Sequence, residues 1–180
     1  MREPITKEGS HPMNSAEMLS LAKKAVKGNP DAYGRLIAEH QEYLYRTAWV
    51  FVRNEELALD AVGTAVLKAY QSIRTLKKPE YFKTWLTRIL IRAAQDELKK
   101  LVYYDSSGEP AAQETHEEIS IEEKCDINSA VAQLPEKYRT VIILKYFNEL
   151  SVKEIAEVID APEGSVKAYL SRARAELKKN

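Results

Sequence analysis

Apolar residues recur at helical spacing in two stretches of the chain, and neither stretch alternates as a strand would. Asn14 and Ser15 can cap a helix that runs to Lys27, with Gly28 as its stop. Asn29-Pro30 restarts the chain, with proline suited to a first helical turn. The next helix runs to about Val52 through Leu36, Ile37, Leu44, Ala48 and Phe51. Asn54 interrupts it, and a third helix covers Glu55 to about Ser72. Ile73 to Lys78 forms a connection, and Pro79 opens a fourth helix that ends near Lys100. Phe82, Leu86, Ile89 and Ala93 make the core face of that helix.

A second helical region follows residues 102–128. A helix near Asp126 to Gln133 is expected to end at Leu134-Pro135, and another to cover Glu136 to Phe147. Ser151 and Glu154 have the spacing of a capping box, with Ile155, Ala156 and Ile159 as the apolar stripe behind it. Asp160-Ala161-Pro162 makes a short turn into a last helix. There Val166, Leu170, Ala173 and Leu177 share one face. No repeat of fixed period is found. The expected fold is all-α, with two small helical domains at 14–101 and 129–180. An acidic flexible linker over 102–128 joins them, a disordered tail covers 1–13, and the second domain ends in two helices joined by a tight turn.

Charge changes this picture more than composition does. The chain has 180 residues and equal numbers of basic and acidic side chains, 27 of each. Taken as a total, that neutrality argues against a nucleic-acid binder. Residues 1–101, however, hold 17 basic and 12 acidic side chains, residues 102–128 hold 1 and 8, and residues 129–180 hold 9 and 7. Neutrality is therefore an acidic stretch set against two basic flanks. The acidic stretch, with Ser106-Ser107-Gly108 and Pro110, reads either as a solvated tether or as a segment that competes with nucleic acid.

The last helix places Gly164, Ser165, Lys167, Ala168, Ser171 and Arg172 opposite its buried stripe. Small and basic residues in the first turns of a second helix are the helix-turn-helix pattern. Such a helix enters the major groove by its N-terminal turns, where bulk would block approach and cations reach phosphates or guanine edges. A packed helical hairpin with a solvated face has the same pattern. In the fourth helix, Tyr81, Thr84, Trp85, Arg88, Arg92, Gln95 and Lys99 lie away from the core face. Cations there attract phosphates and aromatics stack on unpaired bases. Equally, Tyr81 and Trp85 could be core residues at a helix start.

Catalysis finds little support. His11, His40 and His116 are scattered, the six glycines form no phosphate loop, and the single Cys125 sits in the acidic stretch, where negative potential blunts a thiol. One cysteine also excludes an intrachain disulfide framework and suits a reducing compartment. No apolar run has the length of a membrane span, and the N-terminal residues lack the apolar core of a secretion signal. No cofactor, metal or small-molecule substrate is expected, and the expected location is cytoplasmic.

Several segments, in order, resemble the extracytoplasmic-function sigma factors, the minimal two-domain form of the bacterial sigma-70-type initiation factors. They are LAKKAVKGNPDAY at 21–33, LYRTA at 44–48, Leu59-Asp60-Ala61-Val62, FKTWLTRI at 82–89, LPEKYRTVIIL at 134–144, LSVKEIAEV at 150–158 and GSVKAYLSRAR at 164–174. The resemblance covers roughly residues 18–179. It implies a protein that binds core RNA polymerase and directs it to promoter DNA. Its first domain would dock on the polymerase clamp through Leu44, Asp60 and Val62. The same domain would read and melt the −10 element through Arg74, Lys77, Lys78, Lys83, Trp85, Arg88 and Arg92. Ser165, Lys167, Ala168, Ser171 and Arg172 would read the −35 element as duplex. The linker would run into the polymerase cleft, and an anti-sigma factor, often membrane-bound in the family, would inhibit the protein.

One departure stands out. After Val62 the family usually has Gln followed by Glu or Asp on its docking surface, and this chain has Gly63-Thr64. That change suggests a redistributed docking surface or weaker core affinity. Two other readings remain at this point. One is a helix-turn-helix regulator that acts without core polymerase, and the other is a sigma-like protein-binding adaptor.

Overall fold

The computed structural model describes residues 13–106, 130–131 and 133–179, and these residues fold as helices with no strand among them. In the first domain, α1 is Ser15–Val26, α2 is Pro30–Val52, α3 is Glu55–Ser72 and α4 is Phe82–Ser106. Three asparagines start three of these helices. Asn14, Asn29 and Asn54 each accept a backbone N–H from three residues on through the side-chain oxygen, at 2.9 Å. Each cap satisfies a donor that the first helical turn leaves free. Gly28 stops α1 at φ +94°, a conformation that costs a residue with a Cβ.

Large side chains of α2 and α4 fill the centre: Leu36, Leu44, Phe51, Leu86 and Leu90 are fully buried. Each such side chain is worth about 1.5–3 kcal/mol of transfer free energy. The third helix packs differently. Its inner face is Ala58, Ala61, Ala65 and Ala69, all fully buried, while Leu59, Leu67 and Tyr70 stand exposed. Small residues let α3 lie close to α2 and α4, and its bulk is left outside.

Between α3 and α4 the chain makes two short 3₁₀ turns, Ile73–Thr75 and Pro79–Tyr81. The expected loop is pinned by buried Ile73 and Leu76. The fourth helix continues to Ser106, past the expected start of the linker at residue 102. Val102 to Asp105 contain no glycine or proline, and the first breaking cluster is Ser106-Ser107-Gly108. The rest of the acidic linker, with His116 and Cys125, lies outside the described residues, as does the N-terminal tail to Pro12. The helix expected over 126–133 falls there too, apart from Ala130, Val131 and Gln133.

In the second domain, α5 is Glu136–Ile142 and passes directly into a π turn, Ile143–Phe147. The single α-helix expected over 136–147 is thus widened by one residue in its last turn. That step buries Ile143 and Leu144 and turns Tyr146 and Phe147 outward. Next come α6, Val152–Ile159, and α7, Glu163–Leu177. Val141, Ile143, Leu144, Ile155 and Val166 are its largest fully buried residues. The two domains touch: α6 lies against α4 and the π turn against α2.

Candidate nucleic-acid interface

A capping box starts α6, and a tight turn joins it to α7. Ser151 Oγ accepts the Glu154 N–H at 3.2 Å, and Glu154 Oε2 accepts the Ser151 N–H at 2.9 Å. The Ser151 hydroxyl, donating to the same carboxylate, holds Glu154 below the usual carboxylate range. Asp160 ends α6 at φ 57°, a left-handed conformation that aspartate tolerates better than most residues. Pro162 then sits one position before α7 rather than as its first residue, at φ −59°.

On α7, Val166, Leu170 and Ala173 are buried, while Lys167, Ala168, Ser171 and Arg172 are exposed and Ser165 is half-buried. A Cβ added at Gly164 would meet nothing within 4 Å, so the approach to the first turn is open. Four of the five expected −35 readers are thus exposed and the fifth, Ser165, is half-buried, all on one side of α7.

The second surface is the loop before α4 and the start of α4 itself. Arg74, Lys77, Lys78, Lys83 and Arg92 are exposed, and Arg88 and Trp85 are half-buried. Arg74 lies over Gly28, with its Nη2 2.8 Å from where a Cβ would stand. Lys78 sits 5.7 Å from the Tyr81 ring and Lys83 4.4 Å from the Tyr43 ring, so cations and aromatics interleave. Trp85 packs at 6.0 Å and 41° against buried Phe82 and lines a cleft of about 320 Å³. Leu76, Lys77, Lys78, Tyr81, Thr84, Trp85 and Arg88 line that cleft from the first domain, and Lys153 and Glu157 line it from α6. Trp85 thus packs on the core residue Phe82 and also lines the cation-lined cleft.

Two placements differ from the sequence pattern. Thr84 is buried rather than part of an open basic face, because Glu154 of α6 covers it; Thr84 Oγ1 donates to Glu154 Oε1 at 3.4 Å. Leu44 is fully buried and supports α2 from within, so of the three expected docking residues only Asp60 and Val62 reach the surface. They lie on α3 beside the exposed stripe of Leu59, Leu67 and Tyr70. Sequence reasoning passed over that stripe. Its signal was the alanines at 58, 61, 65 and 69, which share the inner face and send the larger residues out. A Cβ at Gly63, in the middle of this surface, would meet nothing within 4 Å.

Among the described residues no group of acidic, His or Cys side chains could hold a metal ion, and no helix is long and apolar enough to cross a membrane. Two family models match the chain: sigma-70 region 2 over residues 36–102, and sigma-70 region 4 over residues 126–177. The RNA polymerase sigma factor SigV of Bacillus subtilis is 36% identical over 143 residues, spanning 76% of this chain and 83% of that protein. The ECF RNA polymerase sigma factor SigW of the same organism is 30% identical over 173 residues, 87% of this chain and 92% of that protein. Among solved structures, CnrH in complex with the cytosolic domain of CnrY superposes with a TM-score of 0.70 at 26% identity, covering 91% of this chain and 96% of that one.

Proposed function

The chain belongs to the sigma-70 family as an RNA polymerase sigma factor of the extracytoplasmic-function group, and from that premise we propose how its residues divide the work of promoter-specific initiation. On α7, Lys167 and Arg172 read base edges or phosphates of the −35 duplex, while Ser165, Ala168 and Ser171 keep the helix close to the groove floor. On the other domain, Arg74, Lys77, Lys78, Lys83, Arg88 and Arg92 hold the melted −10 strand, and Trp85 stacks on an unpaired base at the cleft. Core polymerase docks on the outer face of α3, at Asp60, Val62 and the apolar stripe of Leu59, Leu67 and Tyr70. Leu44 acts only by holding α2 in place.

The observation that carries this reading is the inverted packing of α3 together with two separate cationic faces. A helix that hides alanine and exposes leucine and tyrosine is built for a partner. A regulator acting on one operator would not need the second nucleic-acid face. In run-off transcription, specific transcripts are expected only when core polymerase and this protein are both present. Operator binding without core would favour a regulator, and neither activity would favour an adaptor.

The same reading makes the protein a cytoplasmic, non-enzymatic factor with no cofactor. It also gives the protein an anti-sigma factor as inhibitor. In support, a structural neighbour from Bartonella quintana, the sigma factor RpoE, was solved in complex with the anti-sigma factor NepR.

A further inference from the structure

The second domain covers part of the −10 surface, and it does so with carboxylates. Glu154, Glu157 and Asp160 fall at i, i+3 and i+6 along α6 and its end, so they form one ridge. Glu154 meets Thr84, Glu157 lines the cleft beside Lys77, Lys78, Trp85 and Arg88, and Asp160 Oδ2 lies 3.3 Å from Arg88 Nη2. Carboxylates thus stand against the groups that would receive DNA phosphates. Behind this ridge is a buried polar contact. Thr87 Oγ1 donates to the Lys83 carbonyl at 2.8 Å, so the Tyr43 hydroxyl donates to Thr87 at 2.7 Å. Thr47 Oγ1 donates to the Tyr43 carbonyl at 2.7 Å and accepts from Asn148 Nδ2 of the second domain at 2.6 Å. Arg139 of the second domain adds a contact 5.8 Å over the Phe51 ring of the first. Among the described residues, Lys167, Ala168, Ser171 and Arg172 of α7 stay exposed.

We propose that this arrangement is a closed state in which the α6 carboxylate ridge takes the place of the melted DNA strand on the −10 surface, latched by Asn148 in the hydroxyl socket of Tyr43, Thr47 and Thr87. The block is one-sided: single-stranded DNA is excluded while duplex can still reach α7. The inference rests on the assignment of the Trp85 and Arg88 surface to melted DNA.

The test uses the full chain with two independent variants. Asn148→Ala removes the latch without changing charge. Glu157→Gln with Asp160→Asn removes two of the three ridge charges and leaves the Glu154 cap intact, and asparagine accepts the left-handed conformation at 160. Glu55→Gln with Glu56→Gln on α3 is the charge control. The probes are a short thymidine oligonucleotide and a duplex of mixed sequence. In parallel, the distance between spin labels at positions 68 and 178 is measured in a Cys125→Ser background. The expected result is one short distance in the parent chain, lengthened in both variants. Both variants should also bind the single strand about fivefold or more tightly, with less than about a twofold change for duplex and none in the control. A broad or long distance in the parent chain overturns the closed state. An equal rise for single strand and duplex, or opening without any gain, overturns the block. If the chain opens and no variant binds the single strand at all, the −10 assignment itself has failed, and the distance data keep that outcome distinct.

Discussion

Asn148 and Thr47, 101 positions apart in sequence, meet at 2.6 Å, and both are buried. The amide Nδ2 donates to Oγ1, while Asn148 Oδ1 stays buried without a partner. The bond therefore joins two domains and has to offset a lost acceptor. Thr47→Val keeps the shape and removes the hydroxyl, which strands the Asn148 amide. Thermal or urea unfolding should show a loss of about 1–3 kcal/mol. A double-mutant cycle with Asn148→Ala should return a coupling on the order of 1 kcal/mol. Additive losses would mean that the pair does not interact in solution.

Gly28 carries both a turn and a cation. Its φ of +94° strains any residue with a Cβ, and the Arg74 guanidinium occupies the space above it. Gly28→Ala should cost about 1 kcal/mol or more in stability. It should also push Arg74 off its seat and so weaken single-stranded DNA binding beyond what the stability loss explains.

The α3 surface offers a gain rather than a loss. Gly63 is exposed with open space around it, and glycine in a helix costs about 1 kcal/mol relative to alanine. Gly63→Gln with Thr64→Glu should stabilise the helix and strengthen core polymerase binding in a titration. Unchanged binding would take positions 63 and 64 out of the docking surface.

Arg172→Ala and Trp85→Ala test the two proposed DNA faces separately. Loss of Arg172 should cost about 1–3 kcal/mol at the −35 element if it reads a guanine edge. A loss equal across all sequences would make it a phosphate contact. Loss of Trp85 should impair open-complex formation more than initial promoter binding; a fall in stability alone would confine Trp85 to the core.

His40 sets an acid limit on stability. It is buried, its Nδ1 donates to the Leu36 carbonyl at 2.8 Å, and its ring packs 5.5 Å from Phe82. Burial lowers its pKa; the Leu36 carbonyl and Glu39 oppose that, and Lys83 reinforces it. The unfolded chain then takes up the proton first as pH falls. Stability is full above about pH 6.5 and declines below it. Thermal midpoints measured from pH 7.5 downward should show this decline, and His40→Gln should flatten it.

Most of the fold was legible because its signals are local. Asn14, Asn29, Asn54 and Ser151 announce helix starts, Gly28 and Asp160 mark ends, and the stripe of Val166, Leu170 and Ala173 fixes which side of α7 faces out. What stayed illegible depends on contacts between distant residues. The spacing of α3 did not show that its alanines would be chosen for burial over its leucines, because that choice is made by how closely α2 and α4 approach. The π turn at 143–147 widens the helix where Ile143 and Leu144 are buried, a step that no apolar period announces. No periodicity could have paired Asn148 with Thr47 or set Glu157 beside Trp85. The zero net charge is legible in a new way: acidic residues oppose basic ones inside the folded part as well, along α6.

If two cationic faces on one chain direct core polymerase to promoters, start sites must depend on both faces. The most direct measurement is transcription of fragmented genomic DNA by core polymerase with and without this protein, followed by sequencing of transcript 5′ ends. The account predicts a set of starts that appears only with the protein, each preceded by two shared sequence blocks. Arg172→Ala should relax the upstream block, and Trp85→Ala should suppress the starts at the downstream one. Starts that are the same with and without the protein, or that share a single block indifferent to Trp85, would contradict it.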